Sequence, residues 1–304
     1  MIRTTRGAAL ITAMLIAALA AAVVATLAAG QSQWLRTVEL RRDQVQAQAI
    51  VLAALTWSRQ VLRDDARAGP YDTLSEPWAL PLPPVPVENG SVEGRIVDAQ
   101  GLINVNNLAT DGTFATTERK RLARLFAAAG VPAAAIDALA DYVDADDTAR
   151  DGGTESAAYD SIKPSRAPAN RPLVRVAEAM LARGVDANRF ATVAPHLVAL
   201  PSMTALNVNT ASPEVLASAV NGLEGDALAS LVADRARKPF TTAADFRARL
   251  PSGASIDDAA TFAVRSDYFL VTVKARQGET IARGRALLNR RNDDTPRVVW
   301  QTIE

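Results

Sequence analysis

Twenty-two consecutive residues, Ala8 to Ala29, carry no charge. A helix over that stretch rises about 33 Å at 1.5 Å per residue, enough to cross a bilayer core. Arg3 and Arg6 form a short cationic flank ahead of it. The positive-inside rule then keeps the N-terminus cytoplasmic and sends the rest of the chain outward. The run is rich in alanine, which makes it a weak anchor by hydropathy. Whatever the chain folds into must begin with this apolar segment or be cut free of it.

Three readings of the segment compete. A secretory signal peptide is cut near the small residues Ala28, Ala29 and Gly30. A signal anchor stays uncut. The third starts from Arg6-Gly7, which stands directly before the apolar run. A short basic leader ending in Gly, followed at once by a hydrophobic helix, is the type IV prepilin pattern. Cleavage between Gly7 and Ala8 leaves the helix on the mature chain. The next stretch favours a retained helix. Gln31 to Asp65 lacks Pro, and Ala47, Val51, Ala54, Leu55, Val61 and Leu62 recur on one helical face. Arg36, Arg41, Arg42, Arg59 and Arg63 supply much of the polar surface. The spacing predicts one long helix, apolar first and amphipathic later.

Charge and composition narrow the chemistry. Lys+Arg and Asp+Glu are both 33, so no net basic charge draws the chain to nucleic acid or anionic lipid. There is no Cys, which excludes disulfides, thiol catalysis and zinc–thiolate sites. The single His, His196, excludes a two-histidine metal site and leaves Ser-His-Asp chemistry poorly supplied. No nucleophile–base pair is evident, and no enzyme is expected.

Beyond the long helix the period of the sequence changes twice. Five of the 16 prolines fall between Pro77 and Pro86, so residues 69–90 read as a connection. Ser91 to Val97 alternates as a strand does. Helical patterns run from about Thr116 to Phe262. Strand-like stretches return at Tyr268–Lys274, Thr280–Leu288 and Arg297–Ile303, with turns expected at Gln277-Gly278 and Asn292-Asp293-Asp294. Strands on both sides of a helical block suggest one sheet with a helical domain inserted into it, or else two independent domains. The insertion is preferred because a lone strand at 91–97 needs partners.

Three segments carry candidate chemistry. From Asp141 to Asp160 there are seven carboxylates and one cation, Arg150. So much like charge in a loop calls for water or a cation. Counted from Asp144 as position one, Asp146, Thr148 and Glu155 fall at positions three, five and twelve of a calcium loop. The sixth position is Ala149 rather than Gly, which departs from an EF-hand, although Gly152-Gly153 can bend the chain. A solvated acidic loop remains the plain alternative. The second segment runs from Leu206 to Phe246 and resembles a helix-hairpin-helix module, placed at 204–250. Such modules grip phosphate, but Glu224 and Asp226 flank Gly225 and would repel it. A scaffold use is preferred; a periplasmic, membrane-anchored DNA-binding protein is the alternative. The third is Asp98 to Leu108, where Asn104, Asn106 and Asn107 echo Asn207 and Asn209. Their expected role is structural hydrogen bonding.

Taken together, the chain resembles the type II secretion system protein K family of minor pseudopilins over nearly its whole length. The resemblance rests on Arg6-Gly7 with its apolar helix, Glu76-Pro-Trp78, Gly94 to Asp98 through Asn107-Leu108, Asp144-Ala-Asp-Asp147, Ala169-Asn-Arg-Pro172 and Asn207 to Ala211, in that order. It implies an α+β, pilin-like fold: a long N-terminal helix packed on a small antiparallel sheet, with a large α-helical domain inserted between strands. The leader is then 1–7 and the helix 8–68, with 8–29 its transmembrane half. The sheet domain is 69–103 and 263–304, and the insertion 104–262. The resemblance also implies Ca2+ held by Asp144, Asp146, Asp147 and Glu155, with Asp151 a further candidate. It implies a non-enzymatic role at the tip of a periplasmic pseudopilus in protein secretion. Expected partners are the minor pseudopilins I, J and H, the inner-membrane secretion platform, and the prepilin peptidase, with methylation after cleavage; no nucleic acid is expected. The chain is expected in the inner membrane, single-pass, N-terminus cytoplasmic and globular part periplasmic. Thr12 becomes the fifth mature residue, where most pilin-like proteins have Glu. This departure, shared by the family, suits a subunit that needs no neighbour above it.

Overall fold

The structure is a computed structural model that describes residues 5–110, 112–151, 153–159, 167–257, 259–291 and 295–304. The turn expected at Asn292-Asp293-Asp294 lies outside them, as do Gly152 and Asp160 of the acidic segment. Helix α1 runs unbroken from Thr5 to Ala68. No proline interrupts it, and its many alanines are the strongest helix formers. Gly69-Pro70 ends it. Leu10, Ile11, Leu15, Leu19 and Leu27 stand exposed along its first part, where an 18-residue window reaches a mean hydropathy of 2.6. That part fits a single-pass membrane anchor.

The second part of α1 packs on a sheet. Strand β1 (Leu82–Val87) turns at Glu88-Asn89 into β2 (Gly90–Asp98). Asn89 has φ 59, as a tight hairpin turn requires. The proline-rich connection is therefore corrected in part: a short 3-10 turn at Pro77–Ala79 and an edge strand lie within it. Proline survives there because an edge strand needs only half its N–H groups for pairing.

After β2 the chain leaves the sheet. It forms β3 (Ile103–Asn104), α2 (Gly112–Ala128), α3 (Ala134–Val143), α4 (Ser156–Tyr159), α5 (Ala187–Val193), β4 (Leu197–Val198), β5 (Leu206–Asn207), α6 (Pro213–Ala219), α7 (Gly225–Arg237), α8 (Ala243–Ala248) and β6 (Phe262–Ala263). It then returns through β7 (Tyr268–Gln277), β8 (Thr280–Asn289) and β9 (Arg297–Ile303). The sheet order is β1-β2-β7-β8-β9, with every pairing antiparallel. The β7–β8 turn is the expected one, with Gly278 at φ 54.

Two cores result. Ala47, Val51, Leu55 and Leu62 of α1 bury against Phe269, Val271, Val273, Ala282, Ala286 and Leu288. Each large apolar side chain fully buried there contributes about 1.5–3 kcal/mol. The second core, from Ile103 to Phe262, belongs to the insertion.

The two asparagine pairs do matching structural work. In each pair the first residue ends a two-residue parallel strand, β3 against β4 and β5 against β6. Asn104 Oδ1 accepts from the Asn106 N–H at 3.2 Å, and Asn207 Oδ1 from the Asn209 N–H at 3.0 Å. The second residue then pairs its amide with distant backbone. Asn106 binds both backbone groups of Leu173, and Asn209 both of Phe240, at 2.8–2.9 Å. A carboxamide offers one donor edge and one acceptor edge, so it can mimic a strand residue where no strand runs.

Candidate metal centre

Helix α3 sets the site. Asp141 and Asp144 are three residues apart, hence on one helical face, with Asp144 at the C-cap donating its N–H to Ala140 O at 3.0 Å. The chain then loops back. The Arg150 N–H donates to Asp141 Oδ2 at 3.1 Å, and the Gly153 N–H to Arg150 O at 2.9 Å. Gly153 presses against Asp141, where any Cβ would overlap Oδ2. The return brings in Glu155, just before α4. One carboxylate oxygen from each of Asp141, Asp144 and Glu155 lies within 4.8 Å of the others, and all three residues are buried.

The pocket has more acceptors than donors. Arg150 Nη1 donates to Asp141 Oδ1 at 2.6 Å and also to Asp144 Oδ2. Asp144 Oδ1 and both oxygens of Glu155 are buried without a hydrogen-bond partner among the described residues, as are Thr154 Oγ1 and Asn170 Oδ1. Burial, then the charges of Asp141, Asp144, Asp147 and Asp146, push the Glu155 carboxyl up to about 7. Burial also raises Asp144, against the pull of Arg150. Burial works against the Arg150 charge too, but Asp144 and Asp141 more than offset it and hold the guanidinium above its ordinary range. Orphaned buried carboxylate oxygens are costly unless a cation meets them. All the donors are hard oxygens with no nitrogen or sulfur, a set that suits Ca2+ or Mg2+ rather than zinc.

Of the five residues expected as ligands, Asp144 and Glu155 come together here. Asp146, Asp147 and Asp151 stand exposed outside the cluster. Asp146 Oδ1 accepts the Thr148 N–H at 2.8 Å, and Asp147 Oδ1 the Ser156 N–H at 3.3 Å. Both carboxylates shape the loop. Counting from Asp144 missed Asp141, one turn back on α3, although the i, i+3 spacing was a usable signal. Asn170, whose Oδ1 is buried without a hydrogen-bond partner among the described residues, was also missed; it reaches the loop from the Ala169–Pro172 motif, with φ 44 and its N–H on Tyr142 O at 3.1 Å.

A second acidic group, Asp65, Asp72 and Glu76, differs in kind. Arg290 fills it, pairing with Asp72 and, at 2.6 Å, with Asp65, and stacks over Phe269. Glu76 Oε2 accepts from the Thr73 N–H at 2.7 Å and Trp78 Nε1 at 2.9 Å. Among the described residues no oxygen of this group is a buried orphan.

The helix-hairpin-helix segment is formed by α6 and α7. Of its cations Arg235 is buried, while Arg237, Lys238 and Arg247 stand exposed; Arg124 reaches the segment from α2. Arg124 binds Ser218 O, Asn221 and Asp257; Arg235 Nη1 binds Val208 O and Ala211 O. Glu224 and Asp226 remain exposed at the hairpin. His196 Nδ1 lies 3.3 Å from Ser212 Oγ, which also caps α6 at the Val215 N–H. At the N-terminus, Gly7 and Ala8 lie within α1, and Thr12 Oγ1 donates to Ala8 O and Ala9 O of its own helix.

Comparison with known proteins identifies relatives over most of this length. The family described as "Type II secretion system (T2SS), protein K" matches residues 101–202 and 206–265. Type II secretion system protein K of Pseudomonas aeruginosa is 32% identical over 289 residues, covering 91% of this chain and 86% of that protein. The protein of the same name from Pectobacterium carotovorum subsp. carotovorum is 26% identical, covering 93% and 92%. Among solved structures, the GspK-GspI-GspJ complex from the enterotoxigenic Escherichia coli type 2 secretion system contains a chain that superposes with a TM-score of 0.77. That match has 23% identity and covers 87% of this chain and 98% of the other; it establishes the fold.

Proposed function

The chain belongs to the type II secretion system protein K family and is a minor pseudopilin; on that premise we propose that it caps the tip of the pseudopilus and helps start its assembly. The single observation behind this is the continuity of α1. One helix carries the apolar segment and, without a break, the residues that bury against the sheet. An apolar stalk joined rigidly to a folded head can pack among similar stalks and hold the head at one end. The bulk of the helical insertion suits a terminal position. The chain acts by assembly rather than by catalysis.

The partners in this reading are the minor pseudopilins I and J, with H, and the secretion platform of the inner membrane. The prepilin peptidase cuts between Gly7 and Ala8, and the head lies in the periplasm. Calcium binds Asp141, Asp144 and Glu155, with Thr154 and Asn170 as neutral oxygen donors nearby. Its charge there offsets three carboxylates and fixes the return from α3 to α4.

The test is the mature N-terminal residue, read by mass spectrometry of the chain recovered from envelopes. Ala8 is expected. A start near Gly30 would mean an exported head without its stalk, and the reading would fall.

A further inference from the structure

The acidic pocket contains a cation of the chain's own. Arg150 Nη1 bridges Asp141 Oδ1 and Asp144 Oδ2, and neither carboxylate oxygen of Glu155 has a hydrogen-bond partner among the described residues. We propose that the Arg150 guanidinium is the resident counter-ion of the Asp141–Asp144–Glu155 pocket, and that a divalent cation binds by displacing it. Arg150 then sets the affinity of the site and holds the loop folded when no metal is present. The inference rests on the calcium reading above and deepens it.

Three observations carry it. The first is charge. Three buried carboxylates face one guanidinium, so the pocket is attractive to a cation even with Arg150 in place. A doubly charged ion among the same oxygens repels the guanidinium at close range, where little water screens either charge. The second is the donor count. Arg150 holds two carboxylate oxygens, and three more in the cluster are orphaned. Release of Arg150 makes five available, with Thr154 Oγ1 and Asn170 Oδ1 on adjoining segments. Calcium takes about six to eight oxygens, so the two held by Arg150 matter.

The third is the freedom of the side chain to leave. The Arg150 backbone is tied down independently, through its N–H to Asp141 Oδ2 and its carbonyl to the Gly153 N–H. Its side chain is 26% exposed and sits at the solvent edge of the loop. Exposed Asp146, Asp147 and Asp151 on that loop offer it carboxylates in water. Arg290 in the other acidic group is the contrast. It is 1% exposed, lies 4.3 Å over the Phe269 ring and leaves no orphaned oxygen among the described residues. One arginine is locked into its cluster; the other can be exchanged.

Competition of this kind weakens metal binding by the fraction of time the pocket is free. If Arg150 occupies it about nine-tenths of the time, its removal tightens binding roughly tenfold. The experiment uses the full chain in detergent micelles, titrated with calcium chloride at constant ionic strength by calorimetry, alongside melting in chelator. Arg150→Gln is expected to bind calcium roughly tenfold or more tightly and to melt at a lower temperature in chelator. Arg150→Lys guards against a folding defect. It keeps the charge on a more mobile, strongly hydrated head and is expected to bind between the wild type and Arg150→Gln. Equal or weaker calcium binding by both variants overturns the proposal, since Arg150 then positions the ligands instead of competing with the ion. If neither wild type nor variants take up calcium, and chelator leaves every melting curve unchanged, the calcium reading itself fails and this one with it.

Discussion

Asn207 Nδ2 donates to Asp98 Oδ2 at 2.9 Å, and that bond ties the helical insertion to the sheet it interrupts. Asp98 is the last residue of β2, where the chain leaves the sheet. Ser266, just before β7, donates its hydroxyl to the same oxygen at 2.7 Å. Thr210 Oγ1 adds a third donor at 2.6 Å, and the Gln100 N–H reaches Oδ1 at 2.8 Å. One buried carboxylate therefore gathers the exit from the sheet, the return to it and the middle of the insertion.

The Asp98 carboxyl is pushed up to about 6, by burial first, with Thr210 and Ser266 opposing and the Asp72 charge adding to it. In the unfolded chain it titrates at its ordinary value of 3.8. Between these values the native state holds a proton that the unfolded state has lost. Stability from this group therefore falls as pH rises from about 4 to about 6 and is level above that, a change on the order of 3 kcal/mol. Asp98→Asn does not titrate, so the difference between the two proteins cancels the groups that do not interact with Asp98. The advantage of the wild type over Asp98→Asn is expected to be greatest near pH 4 and to shrink by pH 7, by thermal melting. An advantage that grows with pH would mean that the four donors outweigh burial.

Gly284 faces α1 from the middle of β8. A Cβ there would overlap Val51 Cγ1 and stand 3.3 Å from Leu55 Cδ1. Gly284→Ala is expected to wedge the helix from the sheet at a cost of about 1–3 kcal/mol. Adding Val51→Ala removes the obstructing methyls and should recover part of the loss, as contacting residues do not add independently. Denaturant unfolding of the full chain in detergent reads both. Additive losses would place the strain elsewhere.

The sequence made some of this legible and hid the rest for physical reasons. The α1 helix was readable because its apolar residues keep one period from Ala47 to Leu62. Strands β7 and β8 were readable because buried and exposed side chains alternate along them. Strand β1 was hidden by its prolines, which argue against a strand unless its edge position is known. The echo of Asn104 and Asn106 in Asn207 and Asn209 was visible, but its partners, Leu173 and Phe240, are set by tertiary packing. The acidic segment announced itself, yet charge density alone could not separate Asp146, which turns the loop, from Asp141, which burial brings into the pocket. Asn170 arrives from a different segment, and no spacing within the acidic run points to it.

Calcium at the Asp141–Asp144–Glu155 pocket should raise the melting temperature relative to chelator at matched ionic strength. Stabilisation grows with the logarithm of the free ion, about 2.7 kcal/mol at a hundredfold excess over Kd. Glu155→Gln is expected to remove most of that shift, since both its oxygens are unpartnered in the pocket. Asp146→Asn is expected to leave it nearly intact, because that carboxylate is exposed and caps the Thr148 N–H. The opposite ranking would put the metal in the outer loop.

Thr12 bears on the position of the subunit in the filament. Its single O–H is taken up inside its own helix, shared between Ala8 O at 3.1 Å and Ala9 O at 2.9 Å. It therefore makes no demand on a neighbouring subunit. A Glu at that place could pair with the N-terminal amine of an adjacent stalk, and an apolar surrounding would magnify both that attraction and the cost of leaving the charge unpaired. Thr12→Glu is thus expected to draw copies of the chain into the shaft below the tip. Immunogold labelling along sheared pseudopili would detect them. If labelling stays confined to the tip, the missing charge is not what keeps the chain there, and the bulk of the insertion between β2 and β7 must do so alone.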